Sequence, residues 1–340
     1  MAANVLLALA GIVLATMTLR DVFDTVVIPG GSRASLRVAQ RLGSLLLPLW
    51  KAVRGRHHGI SGSFAPVVLL GSFVIWLALL ALAFGLMAYA ARASFQPRLE
   101  GLPEAIYTAG SAMTTVGPGK AETVLGIGRW ILLGAGFCGL AVMTMAVTYL
   151  LQVQSSIAQR DTGIIKLNTS AGDPPSALTL LERLASLKNA DRIREVLVES
   201  RNWVATTRQS HSAHPTLIYF QSIGIGAGWP AALGAVLDLA LIAEHLIDDE
   251  SLFGASVLLR DEGIRMSRDL ARLAGVDPKT AETSESELKQ LANRLETSGY
   301  HLRRNPSFAA MSTQRAEYQA YVQAIAERLG KPAAVLVRQG

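Results

Sequence analysis

The residues with the clearest chemical potential are Thr114 to Gly119, which read TTVGPG. Threonine hydroxyls and a run of backbone carbonyls offer oxygen atoms, which can replace the water shell of a cation. The carbonyls can point to one place only if the backbone alternates its twist and reaches positive φ. Glycine reaches positive φ at little steric cost, so Gly117 and Gly119 suit such a loop. A single chain cannot surround an ion with these oxygens, so several chains would have to share the site.

Three apolar spans would place this loop in a membrane. They are residues 3–28, 66–91 and 127–153. At 1.5 Å per residue, the uncharged second span is sufficient to cross ~30 Å of hydrocarbon. A helix-like run from Leu102 to Met113, with Pro103 suited to its first turn, leads directly into the loop. No basic residue precedes the first apolar core, which argues against a cleaved signal peptide. An uncleaved anchor or an interfacial helix stays open as an alternative there.

An apolar span, a short helix, a T-V-G-x-G loop and a second apolar span resemble the pore module of two-transmembrane potassium channels, whose filter reads T-V-G-Y-G. The resemblance extends over about 50 residues, in which the short helix, the loop and the second span follow one another as in that family. Leu102–Ala105 resemble the start of the family's pore helix, and Thr114-Thr115 resemble its end. Gly128-Arg129 follow the filter at the spacing seen in the family. The resemblance implies an all-α membrane protein with a homotetrameric pore. An additional N-terminal transmembrane helix and a helical cytoplasmic domain would complete the chain.

The resemblance also implies roles for individual residues. Carbonyl groups and the Thr115 hydroxyl would line the filter, and the negative end of the pore-helix dipole would face the ion path. The implied filter is Thr115, Val116, Gly117, Pro118 and Gly119, with Thr114 ending the pore helix and Lys120 at the outer mouth; Leu140, Met143, Val147 and Leu151 would line the cavity and gate, with Gly139 as the hinge. Ordinary helix packing is an equal alternative for Met143 and Val147. K⁺ would be the permeant ligand, and we expect no cofactor and no other metal.

Three positions depart from the family pattern. Pro118 replaces the filter aromatic, lacks an N–H and restricts the preceding residue. Ser111 stands where several bacterial members carry a glutamate on the pore helix. Lys120 stands where an aspartate commonly follows the filter, and a ring of lysines would repel cations. These departures leave a weakly selective cation channel as an alternative to a potassium-selective one.

The charge distribution gives the topology. Residues 1–154 hold 11 Lys or Arg against 5 Asp or Glu, whereas residues 155–340 hold 21 of each, so the net charge of +6 lies in the first half. This pattern indicates membrane orientation and not nucleic-acid binding. The single cysteine, Cys138, lies in an apolar span and excludes a disulfide within the chain.

Residues 32–63 form a basic stretch without an acidic residue. Arg33, Arg37 and Arg41 are spaced to share one helix face, with leucines between and after them. This pattern predicts an amphipathic helix on the inner leaflet, where residues 33–56 would bind anionic lipid. A solvated basic linker is the alternative, and the positive-inside rule places either one in the cytoplasm.

The second half reads as a set of helices. The predicted helices are 174–188, 190–208, 215–224, 229–247, 251–274, 281–299 and 310–329. Asp173 or Ser176 would cap the first, and Gly275 and Gly330 would end two others. The almost wholly apolar run 230–247 is predicted to be a buried core helix, with a short membrane segment as the alternative.

Candidate ligand sites in this half are weak. Gly224, Gly226 and Gly228 have the wrong spacing for a dinucleotide loop and are interpreted as a glycine-rich helix break. Three histidines and a glutamate could bind a metal ion, and the alternative is that they are ordinary core or surface residues. They are His211, His214, Glu244 and His245. The acidic cluster 248–250 could hold a divalent cation, but a solvated helix start is favoured.

The sequence therefore predicts four parts: a transmembrane helix (1–31), a basic amphipathic segment (32–63), a pore domain (64–154) and a helical cytoplasmic domain (155–340). We expect a homotetrameric, potassium-selective or potassium-preferring channel in a bacterial plasma membrane, not an enzyme. A membrane-anchored sensor with a vestigial pore is the alternative from another class. No regular arginine repeat lies on an apolar span, so voltage sensing is not expected.

Overall fold

The chain divides into two compact units, Met1–Val153 and Gln154–Gly340. A computed structural model of the protein describes residues 1–28, 36, 38, 41–43, 45–46, 64–117, 121–124, 126–220, 226–278 and 283–337. Almost all of the regular structure in these ranges is α-helix, in agreement with the predicted all-α class.

The first unit is built from helices that begin and end close to the predicted spans. They are α1 (Ala2–Val26), α2 (Phe64–Ala90), α3 (Leu102–Met113) and α4 (Gly126–Ala171), the last of which also supplies residues to the second unit. Strands β1 (Phe95–Gln96) and β2 (Glu122–Thr123) form a short antiparallel pair. By length and composition α1, α2 and α4 can each cross a membrane, and the protein is accordingly a membrane protein.

Helix α4 is longer than the sequence predicted. The third apolar span was expected to end at Val153, but the helix continues to Ala171 and reaches 46 residues, or about 69 Å at 1.5 Å per residue. Loss of hydrophobicity marks the end of a membrane span and not the end of a helix. The stretch after Val153 contains no proline before Ala171, so no residue lacks the N–H that the helix needs, and the hydrogen-bonded backbone continues.

Glycines bring the helices of the first unit into close contact. A Cβ added at Gly11 of α1 would lie 2.6 Å from the Ala83 carbonyl oxygen of α2. A Cβ at Gly85 of α2 would lie 2.6 Å from the Ile106 side chain of α3. Such small-residue contacts are typical of membrane helices, where close packing must replace the hydrophobic effect between helices.

Only part of the basic segment lies within the described residues. Arg33, Arg37, Lys51, Arg54 and Arg56 fall outside them, so the amphipathic helix predicted for 32–63 and its lipid contacts stay a prediction. Of the described positions, Val38, residues 41–43 and residues 45–46 are helical.

The second unit packs its helices around one buried helix. The buried helix is α7 (Gly228–His245). The helices around it are the final residues of α4, α5 (Ala177–Ser186), α6 (Ile193–Ala213), α8 (Glu250–Ala274), α9 (Glu285–Thr297) and α10 (Phe308–Leu329). From Trp229 to Ala243 every residue of α7 is buried. The run 230–247 is therefore a core helix, as predicted. The predicted helix 215–224 is a short 3-10 turn, Pro215–Tyr219, followed by residues outside the described ranges.

One ion pair lies inside this core. The Asp238 carboxylate of α7 is fully buried and accepts hydrogen bonds from Arg315 Nε at 2.8 Å and from the Tyr318 hydroxyl at 2.6 Å. Arg315 also donates to Thr283 Oγ1 at 2.9 Å. Removing one partner of such a pair would leave an uncompensated buried charge, which costs about 3–5 kcal/mol.

The predicted helix ends are largely confirmed. Ser176 caps α5 through Thr179 N, and Gly275 and Gly330 end α8 and α10 with φ of 61°. Asp249 caps α8 by accepting from Ser251 N at 2.9 Å. The acidic cluster 248–250 therefore contains a helix cap, which agrees with the favoured interpretation over the cation site.

Candidate ion-filter loop

Helix α3 delivers the chain to the candidate loop. It spans Leu102–Met113, as predicted, with Gly101 as N-cap and a proline in its first turn. Glu104 Oε2 accepts from the backbone N–H of Glu100 at 2.7 Å, which ties down the approach to the helix. Ala105, Ala109 and Met113 form the buried face of α3, and the two alanines allow close packing.

The backbone of the loop alternates in handedness. Thr114 has φ of −91°, Thr115 has φ of +61° and Gly117 has φ of +100°. Val116, between the last two, is outside the positive-φ region. This confirms the positive φ expected at Gly117. The hydrogen bonds Thr115 N to Ala112 O and Val116 N to Ser111 O, with Thr115 in the left-handed region, form a Schellman cap that ends α3.

The positive φ of Thr115 was not predicted. A residue with a Cβ in this region costs roughly 1–2 kcal/mol, and threonine is β-branched. Many helices end with a left-handed residue just past the C-cap, and Thr115 takes this place after the C-cap Thr114. Nothing in the sequence signals it, because glycine or asparagine is the usual residue at this place and threonine is not.

The end of α3 holds the strained loop. The Ser111 carbonyl accepts from Val116 N at 3.0 Å and from Gly117 N at 3.2 Å. Ser111 is buried, and its hydroxyl donates to Tyr107 O at 2.6 Å. The support for the loop comes from the backbone oxygen of residue 111, and the serine side chain itself is bonded within α3.

The far side of the loop is only partly described. Pro118, Gly119 and Lys120 lie outside the described residues, so their predicted filter and mouth positions stay predictions. Beyond them, β2 pairs with β1 through Phe95 and Thr123, and Val124 N donates to Ser94 O at 2.9 Å. This pairing ties the chain after the loop to the chain that leaves α2.

Helix α4 presents two different faces. One is buried within the chain by Ala135, Gly139, Val142 and Tyr149. On the opposite face large apolar side chains are open to solvent; they are Leu133, Phe137, Leu140, Val147 and Leu151. Three of the four predicted cavity and gate residues lie on this open face, and Met143 beside them is half-buried. In a membrane this open face would meet lipid, another chain or a shared pore.

Gly139 makes a close helix contact. A Cβ at this position would lie 2.4 Å from the Met113 carbonyl oxygen, at the end of α3. Helix α4 passes through Gly139 without a break. The hinge role stays a prediction, and the contact gives a second physical reason for glycine here. Cys138, next to it, is half-buried and free.

Of the residues considered for a metal site, Glu244 and His245 approach each other at 3.9 Å, and His211 has separate partners. His211 of α6 is fully buried against Trp229, and its Nδ1–H donates to Thr207 O at 2.8 Å. Burial and the positive charge of Arg160 lower the pKa of His211 to about 3, so its ring is neutral. His245 instead contacts Gln314, and Glu244 pairs with Arg260. Within the described ranges no group of three or more His, Cys, Asp or Glu side chains could hold a metal ion.

The glycine-rich stretch before α7 is a helix start. Gly226 and Gly228 have φ of +51° and +75°, and Asp173 Oδ1 accepts from Ala227 N at 2.9 Å. Gly224 lies outside the described residues. The two described glycines fit the predicted break.

Comparisons with protein-family models, with curated proteins and with solved structures gave no match to this chain.

Proposed function

We propose that this protein is a homotetrameric ion channel that conducts K⁺ selectively or preferentially through the loop 115–119. The observation that carries the proposal is the place of the TVGPG loop, which follows helix α3 directly and lies in sequence between α2 and α4, both long and apolar enough to cross a membrane. Gly117 in this loop has φ of +100°, a conformation that a filter of inward-pointing carbonyls would use. Four such loops around one axis would offer the rings of oxygen that a dehydrated K⁺ needs.

Two further features support a shared pore. The α4 face of Leu140, Val147 and Leu151 is apolar and open in the single chain. In a tetramer this face would turn toward the axis, where a ring of Leu151 side chains would close the path by dewetting. The pore helix α3 would direct its negative C-terminal end toward the ion.

The proposed setting is a bacterial plasma membrane crossed by α1, α2 and α4. The basic stretch 32–63 would face the cytoplasm and bind anionic lipid, and the second unit would be cytoplasmic. No cofactor and no catalytic residue enters this proposal.

The filter is tested by Gly117→Ala in proteoliposomes. At φ of +100° a Cβ is strained and costs about 1–2 kcal/mol in each subunit, so we expect a folded tetramer without K⁺ flux. Gly126→Ala is the matched control, because a Cβ there has nothing within 4 Å. Wild-type flux in Gly117→Ala would overturn the filter assignment.

A weakly selective cation channel is the second candidate, and Pro118 and Lys120 favour it. Reversal potentials in unequal K⁺ and Na⁺ separate the two candidates. Lys120→Asp would replace a positive ring at the mouth by a negative one, and inward conductance should rise most at low salt, where the Debye length is ~30 Å at 0.01 M. If wild-type liposomes show no ion flux at all, the membrane-anchored sensor with a vestigial pore becomes the better hypothesis.

A further inference from the structure

Asp21 is a carboxylate inside the apolar helix α1. It is fully buried, although the helix around it is long and apolar enough to cross a membrane. Ionisable residues in such segments are rare and usually functional, because a buried charge needs strong compensation. The question is therefore what compensates Asp21.

Three N–H groups of the described residues donate to this carboxylate. Trp76 Nε1 of α2 donates to Oδ2 at 2.8 Å. The backbone N–H of Leu36 donates to Oδ1 at 2.8 Å, and that of Val38 to Oδ2 at 3.3 Å. Hydrogen bonds to an ionised acceptor are about twice as strong as neutral ones. Asp21 thus joins the first helix, the second helix and the start of the basic segment at one point.

Aromatic contacts continue from this point to α4. The Phe73 ring meets the Trp76 ring edge-on, with centroids 5.2 Å apart, and meets the Tyr149 ring at 6.3 Å. All three rings belong to buried residues. Tyr149 lies on the buried face of α4, two residues before Leu151 on its open face. The contacts therefore run without a gap from Asp21 to the level of the proposed gate.

We propose that Asp21 is a positioning residue that docks the start of the basic segment and, through Trp76 and Phe73, sets the position of Tyr149 and the inner end of α4. The docking is a property of the fold, whereas its effect on ion flow rests on the proposed channel function. The role of α1 is then to hold this carboxylate, beyond anchoring the chain. Movement of the basic segment would reach the gate through the indole N–H, which bonds to the same carboxylate.

Asp24 offers a matched control on the same helix. It is also buried, and it lies one helical turn further along α1. Its carboxylate pairs with Arg20 of its own helix at 3.7 Å, and its Oδ2 atom has no hydrogen bond. Asparagine at either position removes one buried charge with the same change in shape, but only Asp21 carries the links to Trp76 and Leu36.

The test uses the full-length protein with Asp21→Asn, Trp76→Phe, the double variant and Asp24→Asn. Docking is measured by amide hydrogen exchange at Leu36 and Val38, and gating by single-channel open probability in bilayers. Each strong hydrogen bond to a charged group can bias an equilibrium by about tenfold or more. We expect Asp21→Asn to speed exchange and to change open probability by about tenfold, with K⁺ over Na⁺ selectivity unchanged and Asp24→Asn close to wild type.

The double variant distinguishes positioning from general damage. In Asp21→Asn, the new side-chain carbonyl can still accept from the Leu36 N–H. The side-chain NH₂ group then faces the Trp76 indole N–H, so two hydrogen-bond donors oppose each other. Trp76→Phe removes that indole N–H, so the double variant should lie closer to wild type than Asp21→Asn does. If Asp21→Asn does not assemble, Trp76→Phe still tests the link, because it keeps the carboxylate and removes one donor.

Each outcome decides a part of the proposal. Equal exchange at Leu36 and Val38 in Asp21→Asn and Asp24→Asn would overturn the docking. Faster amide exchange at Leu36 and Val38 in Asp21→Asn, with an unchanged open probability, would overturn the link to α4. Absence of any flux in the wild type would overturn the channel function instead, while the exchange data would still decide the docking.

Discussion

The two units of this protein bury opposite kinds of surface. In Met1–Val153, large apolar side chains of α1 and α4 remain open, and the helices meet through glycines. In Gln154–Gly340, an apolar helix is enclosed, and the outside carries ion pairs such as Arg192–Glu195. The first pattern suits lipid or another chain as its surroundings, and the second suits water.

The units also differ in how they hold buried polar groups. In the first unit, the Asp21 carboxylate gathers N–H donors from distant parts of the chain. In the second, Asp238 is matched by a guanidinium and a tyrosine hydroxyl. Membrane helices pack by shape and hydrogen bonding, whereas a water-soluble core adds the hydrophobic effect. For stability, added side-chain volume at the helix contacts should therefore matter in the first unit, and loss of the buried ion pair should matter in the second.

The largest effect is expected for Asp238→Ala. It leaves Arg315 buried without its carboxylate, and we expect the second unit to lose about 3–5 kcal/mol of stability. Amide hydrogen exchange of α7 and α10 in the full-length protein measures this loss of stability. Exchange of α3 in the same sample shows whether the first unit is unchanged. Glu195→Ala, which breaks an exposed pair, is the control and should cost below about 1 kcal/mol. Equal effects of the two variants would contradict the comparison.

A smaller effect is expected for Gly139→Ala in the first unit. The added Cβ would lie 2.4 Å from Met113 O, so α4 must move away from α3. Such overpacking typically costs about 1–3 kcal/mol. We expect faster exchange in residues 102–117 and reduced flux, with Gly126→Ala unchanged. Reduced flux with normal exchange would favour the hinge role over the contact.

Acid should weaken the second unit through His211. Its folded pKa of about 3 lies below the ordinary 6.5, so the unfolded chain binds the proton more readily. The stability from this residue is complete above pH 6.5 and falls toward pH 3 by about 1.4 kcal/mol per pH unit. Denaturation at several pH values, in wild type and His211→Gln, measures this slope.

The control for that slope is His301→Gln, since His301 is exposed. His211→Gln should remove one proton from the pH dependence, and His301→Gln controls for the loss of an imidazole at an exposed position. An identical slope in His211→Gln and the wild type would show that this ring does not govern the acid response.

The smallest effect is a gain. Gly254 lies on the exposed side of α8, and a Cβ there has nothing within 4 Å. Gly254→Ala should stabilise the helix by about 0.5–1 kcal/mol. Gly275→Ala should destabilise by a similar amount, because Gly275 ends α8 with φ of 61°. A loss of stability in Gly254→Ala would indicate that another chain approaches this surface.

The sequence alone determined features that depend on near neighbours. Apolar runs and turn residues predicted the three spans and the bounds of α3, since Pro103 and the glycines act within one helical turn. The helix end at Gly275 followed for the same reason. Positive φ at Gly117 was predictable because glycine tolerates it.

Only the tertiary structure decided the contacts between distant residues. The left-handed Thr115 is held by the hydrogen bonds that Ser111 O accepts from Val116 N and Gly117 N, and the threonine side chain gives no sign of them. Trp76 meets Asp21 across 55 positions, and Arg315 meets Asp238 across 77. Hydrophobic periodicity specifies which face of a helix is buried, but the partner of a buried polar group is selected by shape and distance once the helices have packed.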